Sequence, residues 1–281
     1  MERIAWVTDS TGTLDEVLSM NQHVYVVPMV VIIGGMEYED GVDILPEELY
    51  RRMREEKINA TTSQPSVGRF HALYKQLEQD YDRIIAVHLS SELSGTVSAS
   101  KQAGHLIKIP VDVFDTLLIS FPMILILKRL MQYMDEGNSI EEAFRKTRLY
   151  ADNHETYVVI GSLDQLHRSG RLTNTQYILG SLLSFKPIIS VEKGLLQTKS
   201  KPRNLKKAQN QIFTDFRRSI ETGKVTECTI LYGAVLKEAL KWKKRISVEF
   251  PQVITHISSL GSAIGVHTGE QTIGISWFNE D

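Results

Sequence analysis

Ile84-Ile85-Ala86-Val87 is an unbroken apolar run, and the chain turns at once from it to Ser90-Ser91-Glu92-Leu93-Ser94-Gly95-Thr96. A strand that lacks apolar–polar alternation needs cover on both faces, as in a parallel sheet with helices packed against it. A parallel neighbour is reached only by a crossover, usually a helix. The sequence predicts that helix from about residue 97 to 107 and the next strand at Val111-Asp112-Val113-Phe114. The same alternation recurs upstream. Ile4-Ala5-Trp6-Val7 ends at Thr8-Asp9-Ser10, and Thr13-Leu14-Asp15-Glu16 matches a capping box that starts a helix. Val24-Tyr25-Val26-Val27 reads as the next buried strand, limited by Pro28, with residues 30–33 extending the sheet. Leu45-Pro46-Glu47-Glu48 opens a helix towards Glu56, and Phe70, Leu73, Tyr74 and Leu77 keep helical spacing. Ser139-Ile140-Glu141-Glu142 is a second capping box.

After about residue 152 the pattern changes. Tyr157-Val158-Val159-Ile160 is a strand followed by helical sequence towards Phe185. Ile188-Ile189-Ser190-Val191 and Leu195-Leu196-Gln197-Thr198, joined through Glu192-Lys193-Gly194, read as a β-hairpin. Helix, strand, helix and strand follow through Ile257, with a last strand near residues 272–278. The expected fold is α/β: a mostly parallel-sheet domain over residues 1–152, then a smaller two-layer, mixed-sheet domain over 153–281. Ligands of such sheets bind beyond the carboxyl ends of the strands, where residues 90–96 belong.

Composition removes several function classes. A net charge of −2 lacks the basic excess of a nucleic-acid binder. Cys228 is the only cysteine, so no intrachain disulfide forms, and a cytoplasmic setting is expected. Met1-Glu2-Arg3-Ile4-Ala5-Trp6 carries no signal-peptide pattern. The apolar stretch 117–127, broken by Pro122, is too short for stable membrane insertion and reads as a buried helix or pocket wall. Neither a dinucleotide fingerprint nor a Walker A sequence occurs, and the eight histidines are scattered, so no cofactor and no metal are expected.

The two hydroxyl-rich segments, Thr61-Thr62-Ser63-Gln64-Pro65-Ser66 and residues 90–96, each precede helical sequence. Helix starts offer free N–H groups and favour anions. Two of them facing one cleft make an anion site with many donors and no fixed positive charge, suited to a carboxylate or phosphate ester. Asp9, Asp40, Asp43 and Asp115 read as backbone caps rather than as a catalytic pair. Ser94 is either a donor to that anion, a plain N-cap, or a nucleophile acting on an acyl or phosphate ester, although the first glycine of the G-x-S-x-G elbow is missing. His267, placed in a Gly-rich loop, gains proton affinity beside a bound carboxylate. Lys199-Ser200-Lys201-Pro202-Arg203 with Lys206-Lys207 is either a solvated face or a protein-docking surface.

Taken together, these segments resemble the DegV family of bacterial fatty-acid-binding proteins, which includes the FakB subunits of fatty acid kinase. The resemblance rests on Thr8-Asp9-Ser10, Val26-Val27-Pro28, Asp40-Gly41-Val42-Asp43 and the two hydroxyl-rich segments. It continues through Gly161-Ser162-Leu163, Gly170-Arg171, Lys186-Pro187-Ile188, Lys201-Pro202-Arg203 and His267-Thr268-Gly269. It implies a long-chain fatty acid between the two domains and no catalytic residue in the chain itself. Thr61, Thr62, Ser94, Gly95, Arg171, His267 and Thr268 would form the fatty-acid-binding site. A separate ATP-dependent fatty acid kinase would be the partner, docking near Arg203. The sequence departs from the family pattern at Glu270-Gln271, at Ser169 and in the bulky stretch 115–122.

Overall fold

The computed structural model describes residues 2–56, 58–172 and 185–280. Its first half carries a four-stranded sheet of β1 (Ile4–Asp9), β2 (Val24–Val27), β6 (Arg83–His88) and β7 (Val111–Asp115). The order is β2-β1-β6-β7 and every pairing is parallel. The chain moves from β1 to one side and later returns to the other, so a crevice opens beyond the ends of β1 and β6. Helices α3 (Val67–Leu77) and α4 (Thr96–Gly104) pack on one face. Side-chain alternation divides each central strand between two cores. Ala5, Val7, Ile84 and Ala86 join those helices, while Trp6, Ile85 and Val87 point the other way.

Two strand expectations are corrected. β2 is an edge strand of which only Val27 is buried. β3 (Val30–Ile33) does not extend the parallel sheet. It pairs antiparallel with β4 (Met36–Glu39) and β5 (Ala60–Ser63) in a separate three-stranded sheet. The turn Gly34-Gly35 joins β3 to β4 with both φ angles positive, which glycine adopts without strain. The first capping box is also displaced. Asp15, not Thr13, caps the short α1 (Glu16–Ser19), accepting the Leu18 amide at 2.9 Å. Helix α2 (Pro46–Glu55) starts at its proline as expected.

The second half is built on a six-stranded mixed sheet, with α6 (Ile140–Asp152) ending just before its first strand, β8 (His154–Val159). The sheet also holds β9 (Ile188–Glu192), β10 (Leu195–Ser200), β11 (Glu227–Tyr232), β12 (Ile254–Ser259) and β13 (Ile273–Phe278), in the order β10-β9-β8-β13-β11-β12. Helix α7 (Leu163–Arg168) follows β8, and the expected helical sequence beyond it falls mostly outside the described residues. Helices α8 (Leu205–Thr222) and α9 (Leu236–Glu249) cover the outer face through Phe213, Phe216, Trp242 and Ile246. A short α10 (Ser262–Thr268) occupies the stretch read as a Gly-rich loop.

Helix α5 (Phe121–Asp135) explains how the halves join. Phe121 to Leu127 are buried without interruption, the mark of an apolar helix enclosed on all sides. It touches β6 on one side and β11 on the other. One hydrophobic core therefore runs from Trp6, Ile85 and Val87 through α5 to Val158, Leu231 and Phe278. Polar clasps tie its edges. Ser90 donates to the carbonyl of Gly194 in the β9–β10 turn at 2.9 Å. Asp40 accepts the Ser262 and Ala263 amides and so caps α10 from the other half of the chain.

Replacing Leu127 with alanine empties a site with no solvent exposure in this shared layer and should cost about 2–5 kcal/mol. Denaturant melts should show that loss in a single transition. A cost below about 1 kcal/mol, or separate unfolding of the two halves, would contradict a common core.

Candidate functional site

A cavity lies within this shared layer, lined by residues from both halves of the chain. Its walls are mostly apolar. Leu89, Ile119, Val158, Ile160, Val191, Leu196 and Leu231 come from both sheets and the loop before α5. Val158 and Ile160 line it because alternation along β8 sends Tyr157 and Val159 to the opposite core. Several polar groups interrupt the wall, and Thr62, Ser94, Arg171, His267 and Thr268 are among them.

Each of these arrives by a different route. Thr62 sits on β5 opposite the fully buried Val31, so it faces inward. Thr61, one residue earlier, is exposed and lines an adjoining surface depression that shares Thr62, Arg171 and His267 with the cavity. Thr61 and Thr62 thus belong to a strand, and the helix expected after this segment follows at Val67, capped by Ser66, which accepts the Arg69 amide at 3.2 Å; its start does not line the cavity. Ser94 lies in the loop from β6 to α4, its Oγ 2.9 Å from Thr96 Oγ1. Only this hydroxyl-rich segment brings a helix start to the cavity. Gly95 caps α4 but does not line the wall; a side chain there would meet Gln64 at 3.1 Å.

His267 occupies the last turn of α10, and its Nε2 is 2.6 Å from Thr62 Oγ1. Burial, with the positive Arg171 nearby, lowers its pKa from 6.5 to about 3, so the imidazole is neutral in the unliganded protein. Arg171 is half-buried and donates to the carbonyls of Ser169 at 2.9 Å and Leu93 at 3.4 Å. Burial also lowers its proton affinity, and no carboxylate among the described residues opposes that effect. The cavity wall therefore carries a fixed positive charge, which the reading of the two hydroxyl-rich segments lacked but the family resemblance implied through Arg171. Thr268 Oγ1 donates to the Ile264 carbonyl at 3.2 Å, which leaves it an acceptor towards the cavity.

Arg203 is exposed and directly precedes Asn204, the cap of α8. Glu270 lies outside the cavity and pairs with Arg54, so the unusual Glu270-Gln271 sequence presents no bare carboxylate to the pocket. Asp9, Asp40, Asp43 and Asp115 all accept backbone amides. Ser94 has Thr96 as its side-chain partner while His267 is bonded to Thr62, an arrangement without a base on Ser94. Among the described residues no group of three His, Cys, Asp or Glu is arranged to hold a metal. Sequence reasoning missed Thr11 and Met29, which also line the cavity, while Ile119 and Ser120 come from the stretch read as a buried helix or pocket wall.

The DegV family profile, described as an uncharacterised protein family, matches residues 3–280. The chain belongs to the DegV family. A DegV domain-containing protein of Listeria monocytogenes is 30% identical over 278 residues, covering 98% of each chain. Among solved structures, a DegV protein of Thermus thermophilus described as binding fatty acid superposes with a TM-score of 0.89 at 29% identity, over 99% of this chain and 100% of that one. DegV of Bacillus subtilis, described as a fatty acid binding protein, gives 0.90 at 27% identity over the whole of both chains.

The histidine gives this DegV protein a pH signature. Its folded pKa of about 3 lies below the ordinary 6.5, so protonation favours the unfolded chain. The stability it contributes is complete above pH 6.5 and is lost as pH falls towards 3. Unliganded protein should show a His267 imidazole that does not titrate near neutrality by NMR. His267→Gln should reduce the loss of stability over that acidic window. A His267 resonance titrating near 6.5 would contradict the buried, neutral state.

Proposed function

We propose that this DegV protein binds a long-chain fatty acid and presents it to a separate kinase without a catalytic step of its own. One observation carries the reading: a mostly apolar cavity between the halves holds Thr62, Ser94, His267 and Arg171, which has no carboxylate partner among the described residues. An amphiphile with a long tail and a small anionic head matches both features. The fatty-acid binding described for the Thermus thermophilus and Bacillus subtilis relatives supports it.

The magnitudes are adequate. Burying ~14 methylenes at ~0.8 kcal/mol each gives roughly 11 kcal/mol before the costs of association. The head then needs charge-assisted hydrogen bonds sufficient to offset carboxylate desolvation. Arg171 supplies charge, while the Ser94 and Thr62 hydroxyls and the His267 ring supply direction. An incoming carboxylate raises the proton affinity of His267, so binding takes up protons and tightens as pH falls. No helix among the described residues is long and apolar enough to cross a membrane, which fits a carrier that takes its ligand into its own interior. Handover to an ATP-dependent fatty acid kinase places the exposed Arg203 on the docking face, where its planar fork of donors suits carboxylates of the partner.

Mass spectrometry of denatured protein purified from cells should release a long-chain acid. Ser94→Ala or Arg171→Gln should weaken a fatty acid about five- to a hundredfold, the worth of roughly 1–3 kcal/mol for one donor to a buried charge. The methyl ester of the same acid should be affected far less. Equal weakening of acid and ester would make these residues packing elements and move the anion site elsewhere. Arg203→Ala should leave fatty-acid affinity unchanged and slow acyl phosphate formation with the kinase; parallel loss of both would place Arg203 in the pocket's support.

A further inference from the structure

Thr62, Arg171 and His267 line two spaces at once, the apolar cavity and the adjoining surface depression. Ser94 belongs to the cavity alone. Asn59, Thr61 and Arg168 belong to the depression alone, and all three are exposed. A head group held by the shared side chains therefore has room for an apolar tail on one side and a solvent-facing space on the other.

That second space is basic. Arg168 is the last residue of α7, and the chain reverses at Gly170, whose φ of 78° glycine adopts without strain. The reversal brings Arg171 back to donate to the Ser169 carbonyl at 2.9 Å, so one turn supplies the depression with two guanidinium groups. Arg168 Nε donates to the Asp164 carbonyl at 3.3 Å, a neutral partner that leaves its charge uncompensated by that bond. Among the described residues no carboxylate lines the depression, and Asn59 and Thr61 add an amide and a hydroxyl. Two cations beside neutral donors suit a terminal phosphoryl group, which carries roughly −1.5 to −2 charges near neutral pH and three acceptor oxygens.

We propose that the depression is a phosphoryl subsite, in which Arg168 holds the phosphoryl group of an acyl phosphate whose tail lies in the cavity. The inference rests on the fatty-acid reading of the site and extends it from the acid to the product of the kinase step. In that step a carboxylate oxygen attacks the γ-phosphorus of ATP held by the kinase. The new O–P bond forms as the bond from that phosphorus to the β,γ-bridging oxygen breaks, and ADP leaves with the electron pair. The head gains one negative charge. Arg171 answers the carboxylate, and Arg168 answers the charge that phosphorylation adds.

The test uses the whole chain, delipidated, with palmitate and with a stable analogue of palmitoyl phosphate in which a methylene replaces the bridging oxygen. Both ligands should bind the unmodified protein. Arg168→Gln should weaken the analogue about fivefold or more and leave palmitate affinity within about twofold. Arg168→Lys, which keeps the charge without the planar fork, should recover part of the loss. Added salt should narrow the gap between the unmodified and Gln forms for the analogue, because the pair is partly exposed. Equal weakening of both ligands, or an analogue affinity indifferent to Arg168→Gln, overturns the proposal while fatty-acid binding stands. Failure of the analogue to bind where palmitate does overturns it too. If palmitate itself does not bind, the fatty-acid reading fails and the proposal falls with it.

Discussion

Enclosure of α5 between two sheets is the constraint on which the rest of the structure depends. A helix whose first turns are buried all round cannot be covered by one sheet, so both halves of the chain must close over it. Closure brings the inner faces of β6, β8 and β11 into one apolar layer. The cavity is the part of that layer left unfilled by side chains. Its mostly apolar walls and its position between the halves are consequences of the same packing.

The polar groups depend on that closure in turn. Thr62 belongs to the small antiparallel sheet of the first half, whereas His267 and Arg171 belong to the second. Their proximity exists only when the halves are docked. Asp40 caps the helix that carries His267, and the Ser90–Gly194 bond fixes the turn beside β9, so the site is braced from both sides. Burial within this brace keeps the Asp40 carboxyl above its ordinary pKa and the His267 imidazole below its own. An anion beside Arg171 and His267 relieves the cationic side of that imbalance. On the proposed fatty-acid reading, ligand binding would be coupled to the docking of the two halves through the same few side chains.

Much of the framework was legible in the sequence. The apolar run before Ser90 identified β6 because a central parallel strand is covered on both faces, and Ser139 capped its helix as its local pattern requires. The hairpin turn was equally local: Lys193 and Gly194 both adopt positive φ. What escaped was set by distant contacts. β3 was joined to the wrong sheet because its partners, β4 and β5, are specified by pairing rather than by its own residues. Helix α10 was read as a loop because of its glycines, but Gly265 is required there by Tyr50, whose hydroxyl would lie 2.5 Å from an added Cβ. The β-branched pair Thr61-Thr62 held a usable signal for strand, and period-two alternation then separates the exposed Thr61 from the cavity-facing Thr62. No local signal marks Asp40 as the cap of a helix more than two hundred residues away.

The most direct test of a tail held in the shared layer and a head held at the junction is the crystal structure of the protein with a terminally brominated long-chain acid. The account predicts an anomalous bromine peak inside the layer bounded by β8, β11 and the start of α5, with the carboxylate against Arg171, Ser94 and His267. Bromine at the surface, or a carboxylate placed away from those three side chains, would contradict it.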